Sequence, residues 1–298
     1  DTISPTFDRV ALTGDSSISV YFSESIGLFL SNKSNYKITP AIPIDRAIPV
    51  EPSLNTVELF FSEAIQPNIF YSISLINYPP DCSGNLMKDD TLVFAIPQVP
   101  ESGDILINEI LFNPHPGGSD FVELYNNSEK VFDLGKLRFS NYDEITELPD
   151  NISLIREKSY LFLPHTYLAL TNDPLDLQNN YHILNKKALV ETSESIPSMP
   201  DSEGNIAIIT SSFTIIDHFN YTEDLHLSFL EETEGVSLER ISFEKPTLEN
   251  DNWQSAASTA GFATPGYKNS QYFKPQITGD FTLEPKVFSP NMDGYHDV

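Results

Sequence analysis

Three oxygen-bearing side chains close to the C-terminus have the types and spacing of a cation site. Asn291, Asp293 and Asp297 are separated by two and four residues around Gly294. Ca²⁺ prefers about six to eight oxygen ligands, and a glycine lets a loop turn sharply enough to bring such ligands together. The loop lacks the bidentate glutamate of an EF-hand, and its Asn and Asp side chains are also suited to capping the backbone amides of a turn. The sequence therefore leaves two interpretations, a Ca²⁺ site and a structural turn.

A catalytic centre is the other chemistry to consider. The chain has six histidines, at positions 115, 165, 182, 218, 226 and 296. Their spacing matches no metal-ligand motif, and no nucleophile elbow, phosphate-binding loop or dinucleotide-binding glycine motif occurs. Glu109 and Glu123 are predicted to face each other across a hairpin, but carboxylates in such places more often serve turns and strand edges. The chain is therefore predicted to have no catalytic site and not to be an enzyme.

Three further residues have types that suggest chemistry. Asp81 precedes Gly84 in a segment that favours a turn with positive φ, and we expect its carboxylate to cap the turn rather than to bind a metal. Cys82 is the only cysteine, which excludes an internal disulfide and a cysteine-based zinc site. No histidine or basic residue adjoins Cys82, so we expect packing rather than reactivity. Trp253 is predicted to be a core residue rather than a sugar-stacking platform.

Composition and charge narrow the class of protein. The 298 residues include 17 Lys and Arg against 43 Asp and Glu, a formal charge of −26. Such a surface repels nucleic acid and anionic lipid, so neither is predicted as a partner. Hydrophobic residues make up 40% of the chain, with 20 Phe and 13 Tyr, which suits buried cores rather than a disordered acidic tail. No apolar run reaches the roughly 18–20 residues that span a bilayer, so direct membrane insertion is not predicted either.

Residues 1–97 have the pattern of a small all-β domain. β-branched and aromatic residues alternate with polar ones in short runs that prolines separate. The predicted strands include residues 18–22, 56–61, 71–76 and 91–96. About seven short strands in a block of this length indicate an immunoglobulin-like (Ig-like) sandwich. Three segments resemble bacterial Ig-like domains in order and spacing: residues 1–6, 22–26 and the Asp-Cys-Ser-Gly-Asn turn at 81–85.

Residues 98–102 are polar with a proline and are predicted to be a linker, followed by a second all-β domain over residues 103–271. Its strands are expected at 104–112, 120–126, 159–163, 167–171, 206–210, 214–221 and 235–241. A short helix is expected near residues 173–181, with Asn172 or Asp173 as N-cap and Pro174 at the first position. Little other helix is predicted, so the fold class is all-β, with tandem Ig-like β-sandwiches.

Many ordered blocks in residues 103–271 resemble the lamin-tail domain, whose fold is an Ig-like sandwich. They are residues 108–110 (Asn-Glu-Ile), the turn at 113–118, residues 121–126 (Phe-Val-Glu-Leu-Tyr-Asn), 170–173, 196–200, 217–221, 237–241 (Ser-Leu-Glu-Arg-Ile), 253–256, 263–266 and 269–270. In bacteria this family occurs as an accessory module of secreted and surface proteins, some of them hydrolases. The resemblance therefore implies a bacterial protein that acts outside the cell.

Residues 272–298 begin with a Pro-containing linker and end in the loop that carries Asn291 and Asp293. This loop resembles the first strand and loop of the Ig-like module near the C-terminus of gliding-motility-associated and type IX-secreted proteins of Bacteroidetes, with Met292 where that family has a glycine. One strand does not fold alone, so the resemblance implies a third domain of which only the start is present. The start at Asp1, without Met, is what we expect of a product whose signal peptide has been removed.

Together these expectations predict a non-catalytic scaffold or adhesion protein that acts through its Ig-like domains. We expect it to be secreted or exposed on the cell surface. Its predicted partner is a protein or a glycan at the cell surface or outer membrane. One alternative is an accessory region of a secreted hydrolase, such as a nuclease or phosphatase, whose catalytic domain lies outside these residues. Another is a component of the outer-membrane or gliding machinery, which co-purification with envelope proteins would distinguish from a released product.

Overall fold

Antiparallel β-sheet makes up most of the fold. The computed structural model describes residues 2–88, 90–143, 145–146 and 148–274. In these ranges the single α-helix is α1 (Pro174–Asn180). Short 3₁₀ helices lie at Gly27–Ser31, Lys33–Asn35, Leu134–Lys136, Lys186–Ala188, Glu223–Leu225, Asn250–Asn252 and Ser258–Ala260. The all-β class that the sequence predicts is confirmed.

Residues 7–94 form two sheets that pack face to face as a β-sandwich. The strands are β1 (Phe7–Gly14), β2 (Ser17–Phe22), β3 (Tyr36–Thr39), β4 (Ile44–Pro49), β5 (Thr56–Phe61), β6 (Tyr71–Leu75) and β7 (Thr91–Phe94). One sheet has the order β1-β2-β5-β4 and the other the order β3-β6-β7. Every pairing in them is antiparallel.

The core of this first sandwich comes from the inward faces of both sheets. In β6, Tyr71, Ile73 and Leu75 are buried, and the serines between them are only partly buried. They share one apolar cluster with residues of the opposite sheet such as Val20 and Leu59. Burying a side chain of this size contributes about 1.5–3 kcal/mol, so the alternation of apolar and polar residues holds the two sheets together.

Residues 105–255 form a second and larger sandwich. Its strands are β8 (Ile105–Leu111), β9 (Phe121–Asn126), β10 (Phe132–Asp133), β11 (Leu137–Asp143), β12 (Leu148–Leu154), β13 (Leu161–Phe162), β14 (Tyr167–Thr171), β15 (Leu189–Glu191), β16 (Glu203–Thr210), β17 (Ile215–Thr222), β18 (Leu238–Arg240) and β19 (Trp253–Ser255). A six-stranded sheet has the order β15-β14-β9-β8-β18-β19, and a four-stranded sheet the order β12-β11-β16-β17. Strands β10 and β13 form a separate pair, and β15 is parallel to β14.

The centre of the six-stranded sheet is buried on both faces. Every residue of β8 and β9 is buried. On the inner face, Ile107, Leu124 and Leu238 join a core cluster with Phe139 and Ile208 of the four-stranded sheet. The outer face is covered in part by α1 and in part by the chain segment 262–271, called here the covering segment. Polar side chains on this outer face are therefore shielded from water.

Helix α1 begins where the sequence predicts. Asp173 is its N-cap, and the Asp173 carboxylate accepts hydrogen bonds from the backbone N–H groups of Leu175 (3.0 Å) and Asp176 (3.2 Å). Pro174 occupies the first helical position, where its missing N–H costs no hydrogen bond. Leu177 is buried in a small apolar cluster on the outer face of the six-stranded sheet, so α1 covers one end of that face.

The turn at residues 81–85 matches one prediction and corrects another. Asp81 Oδ1 accepts hydrogen bonds from the backbone N–H groups of Ser83 and Asn85, both at 2.8 Å, and Gly84 has a φ of +90°. The predicted turn cap is confirmed. The prediction that Cys82 packs in the interior is wrong, because its side chain is a free thiol exposed at the surface of this turn.

The two sandwiches touch next to the segment that joins them. The backbone N–H of Gln98 donates to the carbonyl oxygen of Val131 at 2.8 Å. Val131 and Leu161 lie within residues 105–255, the range of the second sandwich, but belong to the apolar cluster of the first sandwich. The predicted domain limits, 1–97 and 103–271, stay predictions, as does the Ig-like character of each sandwich.

Candidate functional site

The predicted Ca²⁺ ligands Asn291, Asp293 and Asp297 lie outside the described residues, so the calcium site and the alternative turn both stay predictions. Within the described ranges, no group of three or more His, Cys, Asp or Glu side chains is arranged to hold a metal ion. No helix in the same part of the chain has the length and apolar composition needed to cross a membrane. Three other features bring polar or aromatic side chains together in the described residues: a row of three glutamates, a buried arginine with its partners, and an aromatic pocket.

Three glutamates form a line across the outer face of the six-stranded sheet. Glu123 on β9 lies opposite Glu109 on β8, and Glu109 lies opposite Glu239 on β18. All three are fully buried. The prediction that Glu109 and Glu123 face each other is confirmed, but the prediction that they serve a turn or a strand edge is wrong, because both strands are central. Like charges directly opposite each other destabilise a sheet, so other interactions must offset the repulsion among these three glutamates.

Thr264 of the covering segment holds Glu109 and Glu239 together. The backbone N–H of Thr264 and the hydroxyl of Ser237 both donate to Glu109 Oε1, at 2.8 and 2.5 Å. Thr264 Oγ1 lies 3.0 Å from Glu109 Oε2 and 2.7 Å from Glu239 Oε1. A hydroxyl has one hydrogen and can donate to only one of these oxygens. The other contact is a hydrogen bond only when a carboxyl group donates a proton to Thr264 Oγ1, a role that the buried Glu109 can fill.

Burial explains why protons remain on this cluster. Burial, followed by the charge of Glu239, raises the pKa of Glu109 to about 8. Burial, followed by the charge of Glu109, raises the pKa of Glu123 well above its ordinary value. A carboxyl group removed from water favours its neutral form, and a carboxylate neighbour strengthens that preference. The cluster is therefore only partly ionised at neutral pH.

The remaining polar atoms of the cluster tie the covering segment to the sheet. Asn108 Nδ2 donates to Glu123 Oε1 (2.7 Å) and to Asn269 Oδ1 (2.6 Å). The backbone N–H of Gly266 donates to Glu123 Oε2 at 2.5 Å. Gly266 has a φ of +88°, and a Cβ atom there would lie 2.8 Å from a neighbouring side-chain carbon, so this contact requires glycine. The three carboxyl groups are buried, and their hydrogen bonds join the central strands to the covering segment.

Arg240 is fully buried on the inner face of the same sheet and links it to the four-stranded sheet. Its Nη2 atom lies 3.3 Å from Asp217 Oδ2 on β17 and donates to Thr247 Oγ1, and its Nε donates to the carbonyl oxygen of Ile107 (2.8 Å). Burial lowers the pKa of Arg240 to about 10 against the opposing effect of Asp217, and burial raises the pKa of Asp217. A buried ion pair of this kind fixes the position of one sheet on the other.

Trp253 packs beside this ion pair, which confirms its prediction as a core residue. It is 4% exposed, and its ring stacks on Phe219 with 3.7 Å between ring centroids. Its Nε1–H donates to the carbonyl oxygen of Thr247 at 2.7 Å. The indole is therefore satisfied in the interior, as buried tryptophans usually are.

His226 is a buried base in the second sandwich. Its Nδ1 atom lies 2.9 Å from the hydroxyl of Ser255, and its Nε2 atom has no hydrogen-bond partner among the described residues. The Ser255 hydroxyl also accepts the backbone N–H of Leu227 at 3.0 Å. Burial lowers the pKa of His226 to about 4, so the imidazole is neutral under ordinary conditions.

Lowering the pH from about 6.5 to about 4 is expected to destabilise the protein through His226, by up to about 1.4 kcal/mol per pH unit. Since the folded pKa lies below the ordinary value, the unfolded chain takes up the proton first, and the stability present above pH 6.5 is lost as the pH falls. Urea unfolding of His226→Gln between pH 4 and 7 should show a smaller acid loss than the wild type. His182→Gln, at an exposed site, is the matched control, and an unchanged acid loss in His226→Gln would contradict the prediction.

An aromatic pocket opens at the end of the six-stranded sheet, beside the covering segment. It is lined by Tyr125, Asn127, His165, Phe243, Glu244, Tyr272 and Lys274, and has a volume of about 440 Å³. Phe243 stacks on Tyr125, with 4.1 Å between ring centroids and 12° between ring planes. Tyr272 lies 4.8 Å from Phe243 at an angle of 46°. Phe243 and Tyr272 are both partly exposed.

A short hydrogen-bond chain borders this pocket. Tyr125 Oη lies 3.3 Å from His165 Nδ1, and His165 Nε2 lies 2.9 Å from Glu129 Oε1. Carboxylate, imidazole and hydroxyl in this order occur in nucleophilic enzymes, where the hydroxyl is activated. Here burial, followed by the charges of Tyr272 and Glu129, raises the pKa of Tyr125. The phenol therefore stays neutral and is suited to hydrogen bonding rather than to nucleophilic attack.

Sequence reasoning did not identify Glu239, Arg240 or the pocket. Ser237 and Glu109 are 128 residues apart, and Thr264 and Glu109 are 155 residues apart, so no local spacing relates them. The sequence did contain one indication of the buried network, because segments 237–241 and 263–266 are among those that resemble the lamin-tail domain. Their polar residues are the ones that form the buried network.

Comparison with known proteins gives no family. No family model matches the chain, and no curated protein matches it. The bacterial Ig-like and lamin-tail resemblances therefore stay predictions.

Several solved structures show a distant likeness. The N-terminal part of the bacterial S-layer protein SbsC is 16% identical, with 57% of this chain and 41% of that chain covered and a TM-score of 0.29. A DUF4876 family protein from Bacteroides thetaiotaomicron is 13% identical, with 75% and 85% covered and a TM-score of 0.28. The chain spans about two fifths of the length of the S-layer structures it matches. At these scores the likeness carries no argument about function, which has to come from the residues themselves.

Proposed function

We propose that this chain is a non-catalytic scaffold or adhesion protein that acts outside a bacterial cell, either secreted or held at the surface. The observation that carries the proposal is that the buried glutamates are already engaged in hydrogen bonds within the protein. Hydrogen bonds with the covering segment and neighbouring strands occupy the carboxyl oxygens of Glu109, Glu123 and Glu239. Groups engaged in this way have no access to a substrate that they could activate.

The groups beside the aromatic pocket support the same proposal. The hydroxyl of Tyr125 adjoins His165, but its raised pKa leaves it a poor nucleophile. A formal charge of −26 favours solubility and disfavours nucleic acid as a partner. A protein with these properties is suited to binding rather than to turnover.

The proposal includes a specific architecture. We propose a bacterial Ig-like domain over residues 1–97, a lamin-tail domain over 103–271, and the start of a C-terminal module of type IX-secreted proteins over 272–298. In this architecture a signal peptide is removed during export, and the protein associates with the outer membrane or is released.

The purified 298-residue protein is expected not to hydrolyse p-nitrophenyl phosphate, bis-p-nitrophenyl phosphate, casein or p-nitrophenyl glycosides. The physical reason is the lack of an accessible activated group among the described residues. Turnover that His165→Asn or Glu129→Gln abolishes would overturn the proposal. Turnover by a longer natural protein, but not by these 298 residues, would instead favour the accessory region of a hydrolase.

The location is tested on intact cells that export the protein. Proteinase K added to such cells should degrade it while a periplasmic marker survives. Protection of the protein until the cells are lysed would contradict a surface location.

A further inference from the structure

The aromatic pocket offers ring surface in a cavity of suitable size for a small ligand. Its volume of about 440 Å³ lies within the range of about 300–1,000 Å³ that is typical of small-molecule sites. Phe243 and Tyr272 are partly exposed and lie against each other at its wall. Aromatic rings pack on flat apolar surfaces, and the C–H bonds on one face of a pyranose ring provide such a surface.

Polar groups of both hydrogen-bonding kinds lie beside these rings. Tyr125 supplies a hydroxyl, Asn127 an amide and His165 an imidazole. Both ring nitrogens of His165 already bond to Tyr125 and Glu129, so the imidazole orients the phenol. The hydroxyl of Tyr125 and the amide of Asn127 are the groups that can bond to a sugar hydroxyl. His165 also has a φ of +54°, which is uncommon for a residue other than glycine. Such conformations cluster at functional sites, and here the conformation belongs to a residue that lines the pocket.

The charges around the pocket select against an ionic ligand. Two carboxylates, Glu244 and Glu129, and two ammonium groups, Lys274 and Lys268, lie at or beside it, so their charges balance. Lys268 Nζ lies 4.2 Å from the centroid of the Tyr272 ring. Burial raises the pKa values of Tyr125 and Tyr272, so both phenols are neutral. The rest of the chain is strongly acidic, which repels anionic molecules such as nucleic acids and uronate polymers. A neutral molecule with many hydroxyl groups fits this environment best.

We propose that the aromatic pocket binds a neutral oligosaccharide, with a sugar ring against Phe243 and Tyr272 and its hydroxyls bonded to Tyr125 and Asn127, while His165 orients the Tyr125 hydroxyl. The proposal rests on the adhesion function proposed above and names the class of its ligand. Trp253 takes no part in this site, because its indole is buried.

The test uses the 298-residue protein and isothermal titration calorimetry with cellohexaose, mannohexaose, chitohexaose and, as the acidic probe, hexagalacturonate. Binding of at least one neutral hexasaccharide is expected. Tyr272→Ala and Phe243→Ala should each lower that affinity at least about tenfold, because each removes a ring that the sugar contacts. His165→Asn should weaken it similarly while keeping the left-handed backbone, which Asn tolerates. Phe229→Ala, an exposed aromatic site outside the pocket lining, is the matched control and should bind as the wild type does.

The possible results of this titration distinguish failure of the pocket assignment from failure of the proposed function. Absence of binding to every neutral hexasaccharide, binding of hexagalacturonate alone, or binding that survives both Tyr272→Ala and His165→Asn would overturn the pocket assignment. None of these results alters the hydrolysis and surface-exposure tests, which decide the proposed function separately. Thermal unfolding of each variant checks its fold, and if Phe243→Ala does not fold, Tyr272→Ala and His165→Asn carry the test.

Discussion

Replacement of Arg240 by methionine is expected to lower the free energy of unfolding by about 3–5 kcal/mol. Methionine keeps much of the aliphatic stem that packs beside Trp253, so the change removes mainly the charge and its hydrogen bonds. The guanidinium group donates to Ile107 O and Thr247 Oγ1 and pairs with Asp217. Without it, Asp217 is a buried carboxylate with no opposite charge, and that uncompensated charge is the main cost.

The loss of unfolding free energy in Arg240→Met should depend on pH. Burial already raises the pKa of Asp217, and Arg240 is the partner that opposes this rise. With the arginine gone, Asp217 can escape its charge by taking up a proton, which is easier at pH 5 than at pH 8. Urea unfolding at both pH values should therefore show the larger loss at pH 8, and Asp217→Asn in the same background should recover part of it.

Lys245→Met is the matched control, because it also replaces a basic residue by methionine. Lys245 pairs with Asp251 at 2.7 Å, but the Lys245 side chain is 43% exposed and the Asp251 side chain 73% exposed. Exposed pairs contribute less than about 1 kcal/mol, so this variant should resemble the wild type. A loss in Arg240→Met no larger than in Lys245→Met, or a loss that is the same at pH 5 and pH 8, would show that the buried pair does not carry this role.

The sequence predicts strands such as β5 and β6, in which every second side chain faces the core. Residues 56–61 were expected as a strand and form β5, and residues 71–76 contain β6. In both strands buried and less buried positions alternate, because a side-chain period of two places every second residue on the core. Helix α1 was predictable for a different reason, since Asp173 and Pro174 mark its start by local hydrogen bonding and backbone geometry alone.

Strands β10 and β12 were not predicted. Strand β12 lies at the edge of its sheet, contains Pro149 and has mostly exposed side chains. Strand β10 has two residues and exists because it pairs with β13, which lies within the strand predicted at 159–163. Tertiary contacts determine such elements, and neither periodicity nor β-propensity contains that information.

The buried network was beyond sequence reasoning because its residue types usually lie at the surface. Glu239 and Arg240 are adjacent in sequence and both fully buried, yet they point to opposite faces of the sheet. Charged residues are seldom buried unless they are paired, and the partners here are far away in sequence. The pairing of β8 with β18 and the return of the covering segment bring them together.

Glu109→Gln is expected to remove the part of the loss of stability that Glu109 causes as the pH rises from about 4.5 to about 8. The pKa of Glu109 is raised to about 8 in the folded protein, above its ordinary value. Above pH 4.5 the unfolded chain therefore loses this proton first. Stability that is fully present below pH 4.5 falls by up to about 1.4 kcal/mol per pH unit until the folded protein also ionises.

Glutamine suits this position because it resembles the protonated acid. Its oxygen can accept the hydrogen bonds of Ser237 and the Thr264 N–H, and its amide N–H can donate to Thr264 Oγ1 as the carboxyl proton does. The variant should match the wild type near pH 5 and exceed it above pH 8. Glu203→Gln, at an exposed strand position, is the control. A pH dependence in Glu109→Gln that equals that of the wild type would contradict a protonated Glu109.

The double variant Glu109→Gln, Glu239→Gln tests whether the Thr264 hydroxyl couples the two side chains. Each single change leaves one carboxylate to accept the hydrogen of the Thr264 hydroxyl, whereas the double change directs two amide groups at Thr264 Oγ1. The Thr264 hydroxyl hydrogen then has no acceptor among these side chains, which costs about 1–3 kcal/mol beyond the sum of the single effects. Urea unfolding of the four proteins at pH 6 gives this coupling energy. Simple additivity would mean that Thr264 does not couple the two side chains through its hydroxyl.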